Sequence, residues 1–178
     1  MALVVILAVV ALVGLAYNSL VRRRNRVDAT WSDIDVLLRR RHDLVPNLVS
    51  TVGGYARHES AVMQAVAQAR AAAITAHGPG AQSDAEKELA GGVKTILAVA
   101  EAYPDLKAST AFVQLQQQLA TTEDGLEHAR QFYNDSVYGY NNAIQTLPRS
   151  IVAAMFGFRA RQFFQAGAVE RATISVRP

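Results

Sequence analysis

The chain of 178 residues contains no cysteine, and its formal net charge of +3 is concentrated near the N-terminus. The missing thiols exclude disulfide bonds, thiolate metal sites and cysteine nucleophiles. Residues 1–41 hold seven arginines against three aspartates, a balance of +4, whereas residues 42–178 hold eleven basic and twelve acidic side chains, a balance of −1. A nucleic-acid-binding domain needs a basic face on its folded part, so we expect no nucleic-acid partner.

The first element in the chain is an uncharged apolar run. Residues 1–21 carry no charged side chain, and Arg22, Arg23, Arg24 and Arg26 follow at once. About 20 apolar residues span the ~30 Å hydrocarbon core of a bilayer. A cleaved signal peptide would place basic residues before its apolar run instead. We therefore predict a retained transmembrane anchor over residues 1–21.

The boundary residues of this anchor predict its orientation. Basic residues stay on the cytoplasmic side of a membrane, so a single-pass protein with its N-terminus outside and its remaining chain in the cytoplasm is expected. Arginines at the surface attract anionic lipid head groups, and a tyrosine beside them is typical of an aromatic belt. We assign five residues to the membrane interface: Tyr17, Arg22, Arg23, Arg24 and Arg26.

After the arginines, apolar residues recur at alternating spacings of three and four, which predicts a heptad stripe on a helix. Arg41 interrupts this series, and Pro46 lies inside it. No helix breaker separates Gly14 from Pro46, so the anchor is expected to run straight into a long helix that kinks near residues 42–46. The stripe consists of Val27, Trp31, Ile34, Leu38, Val45, Leu48 and Val52.

The middle of the chain predicts two shorter helices separated by a break at residues 77–80, with the sequence HGPG. Apolar residues share one face over residues 58–76, which predicts the first helix. Ser83 and Glu86 have the spacing of a capping box, in which each side chain bonds the other's free backbone N–H. The second helix is therefore expected to begin there and to end near Ala102.

The last long segment, residues 106–146, has an unbroken three-and-four alternation of mainly apolar residues and predicts a helix about 60 Å long. A helix of that length needs a packing partner along its stripe, and the bent helix of residues 20–75 is the natural one. Residues 165–178 are thinly apolar and are either disordered or a short edge strand.

These elements predict an all-α fold. The transmembrane helix continues into an antiparallel bundle of about four helices, two of them long and coiled-coil-like. The corresponding domains are the anchor at 1–21, the helical bundle at 22–164 and the C-terminal tail at 165–178.

Polar residues within the last helix suggest a structural network. Tyr133-Asn134 and Tyr140-Asn141 are one heptad apart, so their rings fill the stripe while hydroxyls and amides bond neighbouring helices and fix the register. Arg130 lies one turn before Asn134 and is expected to meet an acidic residue of another helix. The proposed network comprises Asp43, Asn47, Glu101, Glu123, Arg130, Tyr133, Asn134, Tyr140 and Asn141.

The sequence contains none of the common catalytic motifs. It has no HExxH, no G-x-S-x-G and no phosphate-binding loop. The four histidines are scattered, and the pairs of acidic residues lack the Glu-x-x-His pattern of a carboxylate-bridged metal site. We therefore expect no enzymatic activity, no cofactor and no metal.

Several stretches spread over residues 14–165 carry a resemblance to a known family: 17–21 (YNSLV), 24–27 (RNRV), Trp31 with Ile34, 40–49 (RRHDLVPNLV), Tyr55, His58-Glu59, 97–107 (LAVAEAYPDLK), Thr122-Glu123, Ala129-Arg130, Tyr133-Asn134, Tyr140-Asn141, 156–158 (FGF) and Phe163-Phe164. In these stretches the chain resembles the LemA family of bacterial membrane proteins. The resemblance implies an anchor in the bacterial inner membrane and a helical domain facing the cytoplasm, with no settled activity.

Two functions remain open at this stage. One is a membrane-anchored scaffold or adaptor that binds anionic lipid and either another membrane protein or further copies of itself. The alternative is a small-molecule sensor or enzyme with a polar cleft near Asp43, Glu101, Arg130 and Asn134.

Overall fold

The computed structural model describes residues 1–164, and every regular element in that range is helical. The predicted all-α class is thereby confirmed, while the expectation of a strand or disorder at 165–178 lies outside the described residues. A 3₁₀ turn at Arg57–Glu59 accompanies six α-helices: α1 (Ala2–Gly53), α2 (Ser60–Thr75), α3 (Pro79–Ala100), α4 (Pro104–Lys107), α5 (Thr110–Gln145) and α6 (Arg149–Met155).

Helix α1 is continuous from the apolar N-terminal run through Pro46, as the lack of a breaker predicts. Within the described part of the chain it is the one helix long and apolar enough to cross a membrane, and most of its apolar stretch is exposed rather than buried. A core helix of a water-soluble protein would bury that stretch, so its exposure supports the predicted membrane association. The bend expected at Pro46 stays a prediction.

The described chain divides into two compact units. The terminal unit comprises Met1–Asp35 and His128–Phe163, and the central unit comprises Val36–Glu127 with Phe164. Helices α1 and α5 each contribute residues to both units.

The central unit is held by one apolar core. The end of α1 and helices α2, α3 and α5 each present buried residues at helical spacing, and the single turn of α4 adds Leu106. Burial of each large aliphatic side chain contributes about 1.5–3 kcal/mol. The buried members are Leu44, Val45, Leu48, Val52, Ala56, Val66, Ala73, Leu89, Val93, Ile96, Ala100, Leu106, Phe112 and Leu119.

The terminal unit has a smaller core beside the apolar run of α1. Ala16 and Leu20 are buried in one cluster with Ala143 of α5 and with Val152 and Ala153 of α6. Helix α6 is therefore attached to α1 within the stretch predicted to be the membrane anchor.

The predicted capping box at Ser83 and Glu86 is wrong, because both residues lie buried inside α3. The helix begins four residues earlier at Pro79, whose fixed φ suits the first helical position and whose missing N–H needs no partner there. Gly78 precedes it with a φ of +83°, a conformation that favours glycine. A proline at the first position thus outweighed the capping pattern.

The later boundaries also differ from the predicted ones. Helix α3 ends at Ala100, and the single turn of α4 separates it from α5, which begins at Thr110 rather than at residue 106. Pro104 stands at the start of α4, where it is tolerated.

Two adjacent glycines of α3 predict opposite effects of the same substitution. A Cβ at Gly92 would lie 2.8 Å from Cγ2 of the buried Val66, whereas a Cβ at Gly91 would meet nothing within 4 Å. We expect Gly91→Ala to stabilise the protein by up to about 1 kcal/mol through helix propensity. Gly92→Ala should destabilise it by about 1–3 kcal/mol through overpacking.

Thermal unfolding of both variants of the full chain in detergent, followed by circular dichroism, measures this difference. Equal melting temperatures for the two variants would contradict the close approach of α2 and α3 at Gly92.

Candidate functional site

The central unit contains two charged residues at core positions of their helices. Arg41, which interrupts the apolar stripe of α1 in the sequence, continues its spacing between Leu38 and Val45 and is only 4% exposed. Glu86 lies three residues before Leu89 on the buried stripe of α3 and is 1% exposed. The apparent interruption is therefore a buried charge that has a partner of opposite sign.

The carboxylate of Glu86 is surrounded by donors. Its Oε2 accepts a hydrogen bond from Nη1 of Arg41 at 3.3 Å, and its Oε1 lies 2.7 Å from Nε2 of His42 and 3.0 Å from Nε2 of Gln82. Nη2 of Arg41 lies 3.2 Å from Oε2 of Glu123 on α5. We call these five residues the Glu86 cluster.

The cluster residues lie on α1, α3 and α5, and two further hydrogen bonds join them to α2. The guanidinium of Arg70 on α2 donates to the backbone carbonyl of His42 at 2.6 Å, and the amide of Gln82 also donates to the carbonyl of Ala73 at 3.0 Å. Since an ionised carboxylate only accepts hydrogen bonds, Nε2 of His42 carries the proton that faces Glu86. Helices α1, α2, α3 and α5 are thus joined through polar contacts inside an apolar core.

This arrangement is suited to specifying structure. A buried ionised carboxylate costs several kcal/mol of desolvation free energy unless donors surround it, and both oxygens of Glu86 have such donors. Among residues 1–164, no group of three or more His, Asp or Glu side chains is placed to hold a metal ion.

Only one residue of the proposed polar network belongs to the Glu86 cluster, namely Glu123. Asp43 and Asn47 are exposed on α1. Glu101 is exposed and forms a salt bridge with Lys107. Sequence reasoning missed Arg41, His42, Gln82 and Glu86. Arg41 and Glu86 are charged residues at positions of the apolar stripes, and this pattern could have indicated a buried ion pair.

The terminal unit contains a second polar arrangement, built around the chain that follows α6. Residues 157–163, here called the return segment, are non-helical and lie along α5. The Tyr133 hydroxyl donates to the carbonyl of Gln162 at 2.8 Å, and the Tyr140 hydroxyl donates to that of Arg159 at 3.0 Å. The two tyrosines are seven residues apart on a helix, and the two carbonyls that they bond are three residues apart in an extended chain. Both separations are about 10 Å, so the hydroxyls are in register with the carbonyls.

Asn141 and Arg161 complete this attachment. The Asn141 side chain donates to the Arg161 carbonyl at 2.9 Å and accepts from its backbone N–H at 2.8 Å. The Arg161 guanidinium pairs with Asp28 of α1 at 2.9 Å, and the Trp31 ring packs 5.3 Å from that of Tyr133. The return segment is therefore fastened to both α5 and α1.

The partners of these polar residues differ from the expected ones. Tyr133, Tyr140 and Asn141 bond the backbone of the return segment, where the heptad spacing predicted bonds to a neighbouring helix. An extended segment has backbone groups that need partners, and periodicity within α5 does not reveal what lies across from it. Arg130 and Asn134 are half-buried in the terminal unit.

Two of the predicted membrane-interface residues contact aromatic side chains after α6. The Tyr17 ring lies 4.9 Å from that of Phe156 and 5.6 Å from that of Phe158, and the Arg24 guanidinium lies 5.5 Å from the Phe158 ring. Arg23 donates to the Gly139 carbonyl at 3.2 Å. The remaining two, Arg22 and Arg26, are exposed.

Burial raises the pKa of both the Tyr133 and Tyr140 hydroxyls above the usual 10.0, and the positive charge of Arg161 opposes the shift. Both hydroxyls therefore stay protonated and act as donors at physiological pH.

Removal of a charge from the Glu86 cluster should lower stability strongly. Glu86→Gln leaves the buried Arg41 guanidinium without its buried counter-charge and with the half-exposed Glu123 as its remaining partner in the cluster. We expect a loss of about 3 kcal/mol of unfolding free energy. Glu88→Gln, an exposed position on the same helix, is the control and should change it by less than about 0.5 kcal/mol. Equal chemical-denaturation midpoints for the two variants would show that the cluster does not stabilise the central unit.

Loss of one hydroxyl should loosen the return segment. Tyr140→Phe leaves the Arg159 carbonyl without its donor, at an expected cost of about 1 kcal/mol, while the exposed Tyr138→Phe should be near neutral.

The raised pKa of Tyr140 predicts that folding stability depends on pH, and the same two variants test this. Because the folded pKa is raised, the folded state retains a proton that the unfolded chain loses above pH ~10, so stability falls as pH rises beyond that value. Melting temperatures at about pH 8 and pH 10.5 measure this loss of stability. The decline should be smaller in Tyr140→Phe than in Tyr138→Phe, and an equal decline would contradict the hydroxyl's role.

Comparisons with known proteins match one family over most of the chain. The LemA family profile matches residues 30–177. Magnetosome proteins MamQ 1 and MamQ 2 of Paramagnetospirillum magneticum are each 24% identical to this chain, over 90% of it and 68% of their own length. Magnetosome protein MamQ of Magnetospirillum gryphiswaldense is 24% identical over 83% of this chain and 64% of its own length, and protein LemA of Metamycoplasma hominis is 25% identical over 88% and 72%. With the exposed apolar stretch of α1, these matches support a membrane-associated protein, and the chain belongs to the LemA family.

Proposed function

We propose that this protein is a non-enzymatic, membrane-anchored helical scaffold or adaptor that acts through protein–protein contacts and self-association at the bilayer. The observation that carries the proposal is the distribution of side chains on α5 in the terminal unit. Its polar residues Tyr133, Tyr140 and Asn141 are bonded internally, whereas the large aromatic residues Phe132 and Tyr138 are exposed. Exposed aromatic residues are typical of contact surfaces.

The internal bonding of polar residues also supports a binding function over a catalytic one. Two ionisable residues of the central unit, Glu86 and His42, bond each other inside the core. Enzymes place such groups in a cleft that a substrate can reach. In this protein they join helices instead, which favours a rigid body that presents surfaces.

The anchor offers a second contact surface. Ala8, Ala11 and Gly14 lie on its exposed side, and a Cβ at Gly14 would meet nothing within 4 Å. Small residues allow transmembrane helices to approach closely. Ala16, by contrast, packs inside the terminal unit against α5 and α6.

The proposed location is the bacterial inner membrane, in a single-pass topology with the N-terminus outside. The exposed side chains of Arg22 and Arg26 support it, because arginines at this position retain the following chain on the cytoplasmic side and attract anionic lipids. The proposed partners are the bilayer and either further copies of this chain or another membrane protein.

Crosslinking in native membranes, followed by mass spectrometry, tests the scaffold proposal. The full chain should give self-crosslinks or one reproducible protein partner. Phe132→Ser combined with Tyr138→Ser should reduce the crosslinked fraction about tenfold or more, because two aromatic contacts contribute well over 1.4 kcal/mol.

The control for this experiment is Gln131→Ser combined with Asn142→Ser, two exposed polar positions on the same helix. This control should crosslink as the native chain does. A native chain that stays monomeric and captures no protein would contradict the scaffold function and favour the alternative of a small-molecule sensor or enzyme.

A further inference from the structure

The outward side of α6 is apolar. Val152 and Ala153 are buried against the rest of the terminal unit, whereas Ile151 and Met155 are more than half exposed. Leu147 before the helix and Phe156 after it are also more than half exposed. We call Leu147, Ile151, Met155 and Phe156 the outer face of α6. Water is a poor solvent for such a set of side chains.

The packing of α6 places this face at a defined level along α1. Its buried side shares a cluster with Ala16 and Leu20, and Val13 packs against that cluster. These three residues precede Arg22, the first charged side chain, by two to nine positions, which corresponds to about 3–14 Å of helix. Helix α6 therefore lies on the apolar side of the arginines.

From this position we infer that α6 is an interfacial membrane helix, and that lipid of the leaflet beside the arginines covers its outer face. The inference rests on the proposed membrane anchoring of α1. A short amphipathic segment with an apolar outer face lies in the interface plane with that face among the acyl chains. The occupant is the bilayer itself.

Two observations favour lipid over a protein partner. The outer face lies at the level of an exposed apolar part of the anchor, because the exposed Leu12 and Leu15 occupy the same stretch of α1 as the residues that pack on α6. Basic side chains border it, with Arg149 at the start of α6 and the Arg24 guanidinium over the Phe158 ring. An apolar centre with a basic rim matches acyl chains surrounded by anionic head groups.

Spin labelling tests the inference, since the absence of native cysteine makes each introduced one unique. Met155→Cys, Leu7→Cys and Asp135→Cys of the full chain are labelled with a nitroxide and reconstituted into vesicles of phosphatidylcholine and phosphatidylglycerol. Leu7 is the lipid reference in the anchor, and Asp135 is the exposed aqueous reference on α5. Accessibility to oxygen, which concentrates in acyl chains, is compared with accessibility to a water-soluble nickel chelate.

The label at Met155 should have an oxygen-to-nickel accessibility ratio several-fold above that at Asp135 and below that at Leu7, because an interfacial helix lies less deep than the middle of the anchor. A Met155 label that resembles Asp135 would overturn the inference and leave the anchor intact. A Met155 label shielded from both reagents would also overturn it, because protein would then cover the face. A Leu7 label that reports water would instead show that the anchoring itself fails.

The variant Ile151→Cys provides an independent second position on the same face. It should give the same result as Met155→Cys, and circular dichroism of each labelled variant should match that of the native chain. Opposite results at the two positions would overturn the inference, because lipid cannot cover only one of two neighbouring residues on one helix face.

Discussion

The buried carboxylate of Glu86 is the constraint on which the central unit depends. An apolar stripe tolerates a shift of one heptad, because one aliphatic contact replaces another at small cost. A buried negative charge tolerates no such shift, since every displaced donor leaves it unsatisfied at a cost of several kcal/mol. Arg41 and His42 of α1 reach Glu86 from one side, Gln82 reaches it from its own helix, and Glu123 of α5 balances the second arm of Arg41. One register of the helices satisfies all of these contacts together.

The terminal unit meets a related requirement by different means. Its return segment is extended, so its backbone carbonyls and N–H groups need partners that no regular element supplies. Tyr133, Tyr140 and Asn141 provide them at a spacing that matches the segment. Because burial raises the pKa of both tyrosine hydroxyls, they remain donors at physiological pH. In both units, polar side chains within apolar stripes determine which elements lie together.

Periodicity predicted the helices well, because burial of one face is the same physical requirement along each of them. It predicted the burial of Leu38, Leu48 and Tyr140, while the lack of a helix breaker predicted the continuity of α1 past residue 21. It could not identify the Glu86 cluster, because the meeting of Arg41 with Glu86 depends on how two distant helices pack. The start of α3 was missed because two local signals competed, and the proline at the first helical position outweighed the capping pattern.

The path of the chain after α6 links the inferred lipid contact to this polar attachment. Gly157 adopts a φ of +70°, which glycine accommodates without a Cβ clash, and the chain turns there. Phe158 then packs beside Tyr17 under the Arg24 guanidinium, and the following residues bond α5 from Tyr140 back towards Tyr133. The return segment therefore leads away from the end of α5 that packs on the anchor. With α6 in the interface, insertion of the anchor also sets the level of α6, and the tyrosine bonds hold the chain that leaves it.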